Sequence, residues 1–124
     1  MGEDKKLVLH VEDNPDNRLL VRRLLQAYGY QVIDAESASK AREILKENRP
    51  DLILMDINMP DIDGYTLTNE LKSMPNLMGV PVVAITANVM KGDRERTLSA
   101  GCDGYIEKPI DVDRFIEQVE RFIG

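Results

Sequence analysis

One cysteine in 124 residues, Cys102, rules out an internal disulfide. The opening residues MGEDKK lack the apolar stretch of a secretory signal, and Lys6 stands where a myristoylation signal needs Ser or Thr. The expectation is a soluble cytoplasmic chain with no membrane attachment. Basic residues are in deficit: 16 Lys and Arg face 22 Asp and Glu, a formal charge of −6. That balance repels nucleic-acid phosphates and anionic lipid, and no local basic patch offsets it, since Arg18, Arg22 and Arg23 read as a solvated helix face. Repeats, linkers and low-complexity stretches are also missing. The 43% of residues that are hydrophobic suffice for one core, so residues 1–124 are expected to form a single domain that carries the whole function.

What is present is alternation. Apolar, strand-length runs at 7–12, 31–35, 51–56, 80–86 and 104–108 are separated by helix-like segments, the pattern of a parallel sheet covered by helices on both faces. The first, third and fourth runs are nearly continuous in apolar residues and are expected to be central. Asn14 before Pro15 reads as a helix cap, with Leu20, Val21, Leu24, Leu25 and Tyr28 as the apolar face up to Gly29. A second helix starts near Ser37, buries Ala38, Ala41, Ile44 and Leu45, and ends by Pro50; a third runs from about Gly64 to before Pro75, burying Tyr65, Leu67 and Leu71. The last, capped by Asp111, buries Phe115, Ile116, Val119, Phe122 and Ile123. Residues 88–101 are different: only Val89, Met90 and Leu98 are large and apolar, and Gly92 weakens the start, so this helix should be the least firmly anchored.

Ligands of open α/β sheets bind beyond the carboxyl ends of the strands. There the runs end in Glu12 and Asp13, in Asp56, in Thr86 and in Lys108. Three carboxylates in one crevice repel one another unless their pKa values rise or a cation sits among them. Mg²⁺ suits such a cluster, because it takes one or two carboxylates, keeps several waters and leaves room for a phosphoryl oxygen. One Mg²⁺ and Lys108 would balance the three acids, and a carboxylate so neutralised can act as a nucleophile toward phosphorus. Asp56, ending a central strand between the acidic pair and Lys108, is the best-placed candidate.

VEDN (11–14), LMDINMPDIDG (54–64), AITA (84–87) and YIEKP (105–109) resemble, in order and across essentially the whole chain, the receiver domain of two-component response regulators, of the stand-alone type. The resemblance implies a flavodoxin-like (βα)5 fold, a doubly wound five-stranded parallel sheet in the order 2-1-3-4-5. It implies that Asp56 accepts the phosphoryl group, that Asp13 and Asp56 ligate Mg²⁺ through carboxylates and Asn58 through its carbonyl, and that Glu12 holds the ion through a water. Lys108 and the Thr86 hydroxyl would bond phosphoryl oxygens, Pro109 would follow a cis peptide, and the small Ala87 would leave the pocket open. Glu12 departs from the pattern, since many receivers carry a second Asp there.

The implied donor is a phosphohistidine on a sensor kinase or histidine phosphotransfer protein, with the receiver catalysing its own transfer and dephosphorylation rather than turning over as an enzyme. Thr86 and Tyr105 would be the switch pair, and helix four, strand five and helix five the output surface toward a downstream protein effector. With no DNA-binding or catalytic segment after Gly124, the output is expected to be protein contact, although a receiver cut from a hybrid kinase would read the same. A monomer is expected, and phosphorylation could pair two copies. Two rivals stand beside this reading. One is a small phosphohydrolase with an Asp nucleophile, disfavoured because Asn58 stands where a general acid is needed. The other is a receiver-like interaction module that is never phosphorylated.

Other polar residues have plainer explanations. Asp61 and Asp63 suit a turn and a helix cap, His10 a partly buried structural position, and Cys102 a small packing residue. Met55 and Met90 read as core, and Met59 as bordering the phosphoryl pocket.

Overall fold

The computed structural model describes residues 5–57, 59, 62–87 and 91–123, with the backbone alone for 91–94. Strands β1 (Leu7–Val11), β2 (Gln31–Ala35), β3 (Leu52–Asp56), β4 (Val82–Thr86) and β5 (Gly104–Glu107) pair in parallel in the order β2-β1-β3-β4-β5. Helices α1 (Pro15–Ala27), α2 (Ala38–Leu45), α3 (Gly64–Lys72), α4 (Lys91–Ser99) and α5 (Phe115–Ile123) connect or follow them. The expected alternation and strand order both hold. Every residue of β3 and β4 is buried, which is why LILMD and VVAIT are continuous rather than alternating in apolar character.

Strand periodicity divides the interior into two cores. Leu9, Val11, Ile53, Met55 and Ala84 join Ala41, Leu45, Leu67 and Leu71 on the α2/α3 side. Val8, Leu54, Val83 and Ile85 join Val21, Leu25, Phe115 and Val119 on the α1/α5 side. The helix starts follow the sequence: Asn14 accepts from Asn17 N–H ahead of Pro15, Ser37 from Lys40 N–H, and Asp63 from Tyr65 N–H. Asp111 accepts from Asp113 N–H, and its carbonyl takes Phe115 N–H.

Several expectations need correction. On α1, Val21 and Leu25 are buried, but Leu20 is 38% and Tyr28 65% exposed. The helix stops at Ala27, and Tyr28 is its cap rather than the next turn of the stripe. On α4, among the described side chains, Leu98 is 57% exposed and Thr97 is the buried one. His10 is wholly rather than partly buried. Val89, Met90 and Asp61 lie outside the described residues.

The turn after β3 brings backbone against backbone. An added Cβ at Gly64 would lie 2.6 Å from Ile57 Cα and 2.7 Å from the Asp56 carbonyl oxygen. Gly64→Ala is therefore expected to cost about 3 kcal/mol, read from the urea midpoint. At Gly104 the added atom would run into the Phe122 ring. That half-buried side chain on the last turn of α5 can swing aside, so Gly104→Ala should cost less, about 1 kcal/mol.

Candidate functional site

The sheet delivers the expected residues to one mouth. Glu12 follows β1 and is tied by its N–H to the Ala35 carbonyl at 2.9 Å. Asp56 and Thr86 end β3 and β4, and Lys108 stands just past β5, its N–H donating to the Thr86 carbonyl at 2.8 Å. Glu12, Asp13 and Asp56 each offer a carboxylate oxygen within 4.8 Å of the others. Lys108 Nζ lies 3.2 Å from Asp56 Oδ1 and 3.4 Å from Glu12 Oε1. Glu12, Asp56 and Thr86 are buried, while Asp13 opens to solvent. The Lys108–Pro109 peptide is cis. Asn58 lies outside the described residues.

Burial first, and then the hydrogen bond and negative charge of Asp56, raise the Glu12 carboxyl to about pH 7 from an ordinary 4.5; the Asn14 amide and Lys108 pull the other way. The donor set is all hard oxygen, which fits Mg²⁺ or a similar ion rather than a thiophilic metal. A cavity of about 360 Å³ adjoins the site on the α1/α5 side, lined by His10, Leu20, Ile85, Ala87 and Lys108 among others. Ala87 is exposed at its rim, as expected of a small residue that leaves the mouth open.

Tyr105 is half-buried on β5, opposite Ala84 in register and packed against the α2/α3 core. His10 Nδ1 lies 3.8 Å from Asp34 Oδ1 on the neighbouring strand, and Arg22 pairs with the same carboxylate. Burial works against the charge on Asp34, but the neighbouring His10 and the hydrogen-bonded Arg22 guanidinium outweigh it and hold that carboxyl below the usual range.

Three contributions were not foreseen. Arg18, read as solvated, donates from Nη1 to the carbonyls of Glu12 at 2.9 Å and Asp13 at 2.8 Å. Asn17 directs its side-chain amide at Glu12 Oε1, 3.4 Å away. A third set ties the start of α3 to α4. Tyr65, in the first turn of α3, shares a buried 3.1 Å hydrogen bond with the Thr97 hydroxyl. Arg96 stacks 4.6 Å from the centre of the Tyr65 ring and donates to Asp63 at 3.1 Å. Because KGDRERTLS carries no apolar stripe, these contacts do for α4 what a hydrophobic face does for the other helices. Tyr65→Phe is expected to cost about 1 kcal/mol and to speed amide exchange across 91–99 roughly fivefold, with α2 unaffected.

A doubly wound five-stranded domain with an acidic cluster and one lysine at its carboxyl edge defines a class, and residues 8–120 match its family, the response regulator receiver domain. The chain belongs to that family and is the receiver domain of a two-component response regulator. Over 119 residues, 96% of this chain and 97% of the relative, it is 46% identical to the polar-differentiation response regulator DivK of Brucella anthropi. The protein of that name from Brucella ovis matches equally. The receiver domain of sensor histidine kinase PA1611 from Pseudomonas aeruginosa PAO1, solved with magnesium ion coordinated in the active site cleft, superposes with a TM-score of 0.88 at 36% identity, covering 98% of this chain and 99% of that one. The Vibrio cholerae chemotaxis protein CheY4 shares the fold, with a TM-score of 0.91 at 24% identity over 96% of this chain and 99% of its own. Among the described residues no helix is long and apolar enough to cross a membrane.

Proposed function

We propose that residues 1–124 act as one receiver domain, in which Asp56 takes a phosphoryl group from a phosphohistidine on a histidine kinase or phosphotransfer protein. The observation that carries this reading is the convergence of Glu12, Asp13 and Asp56 within 4.8 Å, with Lys108 at 3.2 Å from the last. Asp56 supplies the attacking oxygen; a phosphorus–oxygen bond forms as the phosphorus–nitrogen bond of the donor breaks, and the departing imidazole nitrogen takes a proton. The Lys108 ammonium and the Thr86 hydroxyl bond phosphoryl oxygens. Burial at the end of β3 holds Asp56 in line for attack. Glu12, Asp13 and Asp56, with the Asn58 carbonyl, would hold Mg²⁺, and the ion when bound supplies charge neutralisation for the incoming group.

Nothing in this scheme makes the chain a turnover enzyme; it is a phosphoacceptor that catalyses its own modification. The output is the face of α4, β5 and α5, with Thr86 and Tyr105 as switch residues. The weak apolar anchoring of α4 supports this, since sparsely packed elements shift most cheaply. We place it in the cytoplasm, as a monomer that meets a kinase or phosphotransfer protein and then a protein effector.

Incubation with Mg²⁺ and acetyl phosphate, followed by intact mass and phosphate release, tests the reading. One added phosphoryl group, lost in Asp56→Asn, is expected. Continuous phosphate release at enzyme-like rates would favour the hydrolase, and no adduct the inert module.

A further inference from the structure

We infer that Arg18 is a positioning residue for the metal-binding acid pair, an inference that rests on the receiver reading of the site. Glu12 and Asp13 stand between the end of β1 and the Asn14 cap. They are past the strand, and their carbonyls precede the first intrahelical bond, which Asn14 accepts from Arg18 N–H at 3.0 Å. The Glu12 N–H is still tied across to the Ala35 carbonyl at 2.9 Å, but the carbonyls of Glu12 and Asp13 lie beyond the strand pairing and need another partner.

The first turn of α1 supplies that partner by folding back. One guanidinium nitrogen of Arg18 takes both consecutive carbonyls, at 2.9 and 2.8 Å, and so fixes the peptide planes that aim Glu12 and Asp13. Asn14 N–H at 3.2 Å and the Asn17 side-chain amide at 3.4 Å donate to the Glu12 carboxylate itself. The division of labour matters chemically. Lys108 sits on carboxylate oxygens, whereas the Arg18 hydrogen bonds to this loop go to backbone carbonyls. Arg18 therefore adds positive charge beside the acid cluster without competing for the oxygens a divalent ion would use. A flexible ammonium is a poor substitute, because it lacks the rigid planar donor group.

Residues that orient metal ligands in this way typically carry a 10- to 100-fold share of metal affinity. Titration calorimetry with Mg²⁺ on the wild-type chain, Arg18→Met and Arg18→Lys tests the inference, together with melting curves in chelator. Arg18→Met is expected to weaken Mg²⁺ binding by about 10-fold or more, with the metal-free melting temperature lowered by only a few degrees. Arg18→Lys should fall between the two, and it carries the test alone should the methionine variant fail to fold. Wild-type affinity in either variant overturns the inference. So does a loss in Arg18→Met that lysine does not narrow and that comes with a far larger drop in the metal-free melting temperature. Absence of Mg²⁺ binding in the wild type would instead overturn the receiver reading of the site.

Discussion

Lys108→Met is expected to slow phosphoryl uptake from acetyl phosphate by roughly 100- to 1000-fold, the range seen when one preorganised charge-stabilising donor is removed. Methionine keeps the stem and deletes only the ammonium. That ammonium lies within reach of both Asp56 and Glu12, at 3.2 and 3.4 Å, and those two carboxylates are buried. Without it an anionic donor approaches three acids, and charge building on the transferring oxygens loses the Lys108 ammonium. The Glu12 carboxyl, already raised to about 7, should rise further because one of its two lowering partners is gone and only the Asn14 amide remains. The measurement is the rate of adduct formation by intact mass at saturating Mg²⁺. A rate within a few-fold of wild type would remove Lys108 from the proposed machinery.

The second large effect concerns pH. In the folded, metal-free chain Glu12 titrates near 7, and its ordinary value is 4.5. Below 4.5 the group is protonated whether the chain is folded or not, and no penalty exists. Above 7 the folded state carries the whole cost of a buried carboxylate. Between these limits the folded state binds more protons than the unfolded one, so metal-free stability rises as pH falls, by roughly 3 kcal/mol across the window. Glu12→Gln should flatten that slope and raise metal-free stability at high pH. Mg²⁺ reverses the preference, because a metal site needs the deprotonated acid. Calorimetry in buffers of different ionisation enthalpy should find close to one proton released per Mg²⁺ bound below neutrality and fewer above it. A metal-free stability that instead increases with pH over this range would contradict the Glu12 assignment.

Much of the fold was legible because burial leaves a mark in sequence. LILMD and VVAIT are continuous in apolar residues since both their faces are covered, and each run ends on the polar group that reaches the sheet's mouth. Asn14, Ser37 and Asp63 announced helix starts through cap chemistry that is local to a few residues. What escaped notice has no periodic signature. Arg18 looks like any solvated helical arginine until β1 and the loop after it are placed under its guanidinium. The Tyr65–Thr97 bond spans α3 and α4, and no pattern within either helix encodes it. His10 and Asp34 meet only because the register sets them side by side. Tyr28 obeyed the helical stripe in sequence but not in space, because α1 ends before the stripe does, and Leu20, in mid-helix, faces the cavity beside the site rather than the core.

The central claim is that Asp56 forms the acyl phosphate. Hydride reduction converts an aspartyl phosphate to homoserine, so peptide mapping after reduction of the acetyl phosphate-treated chain locates the modified carboxyl directly. The expected result is homoserine at position 56 alone, dependent on Mg²⁺. Homoserine at Asp13 or elsewhere, with Asp56 intact, would contradict the account.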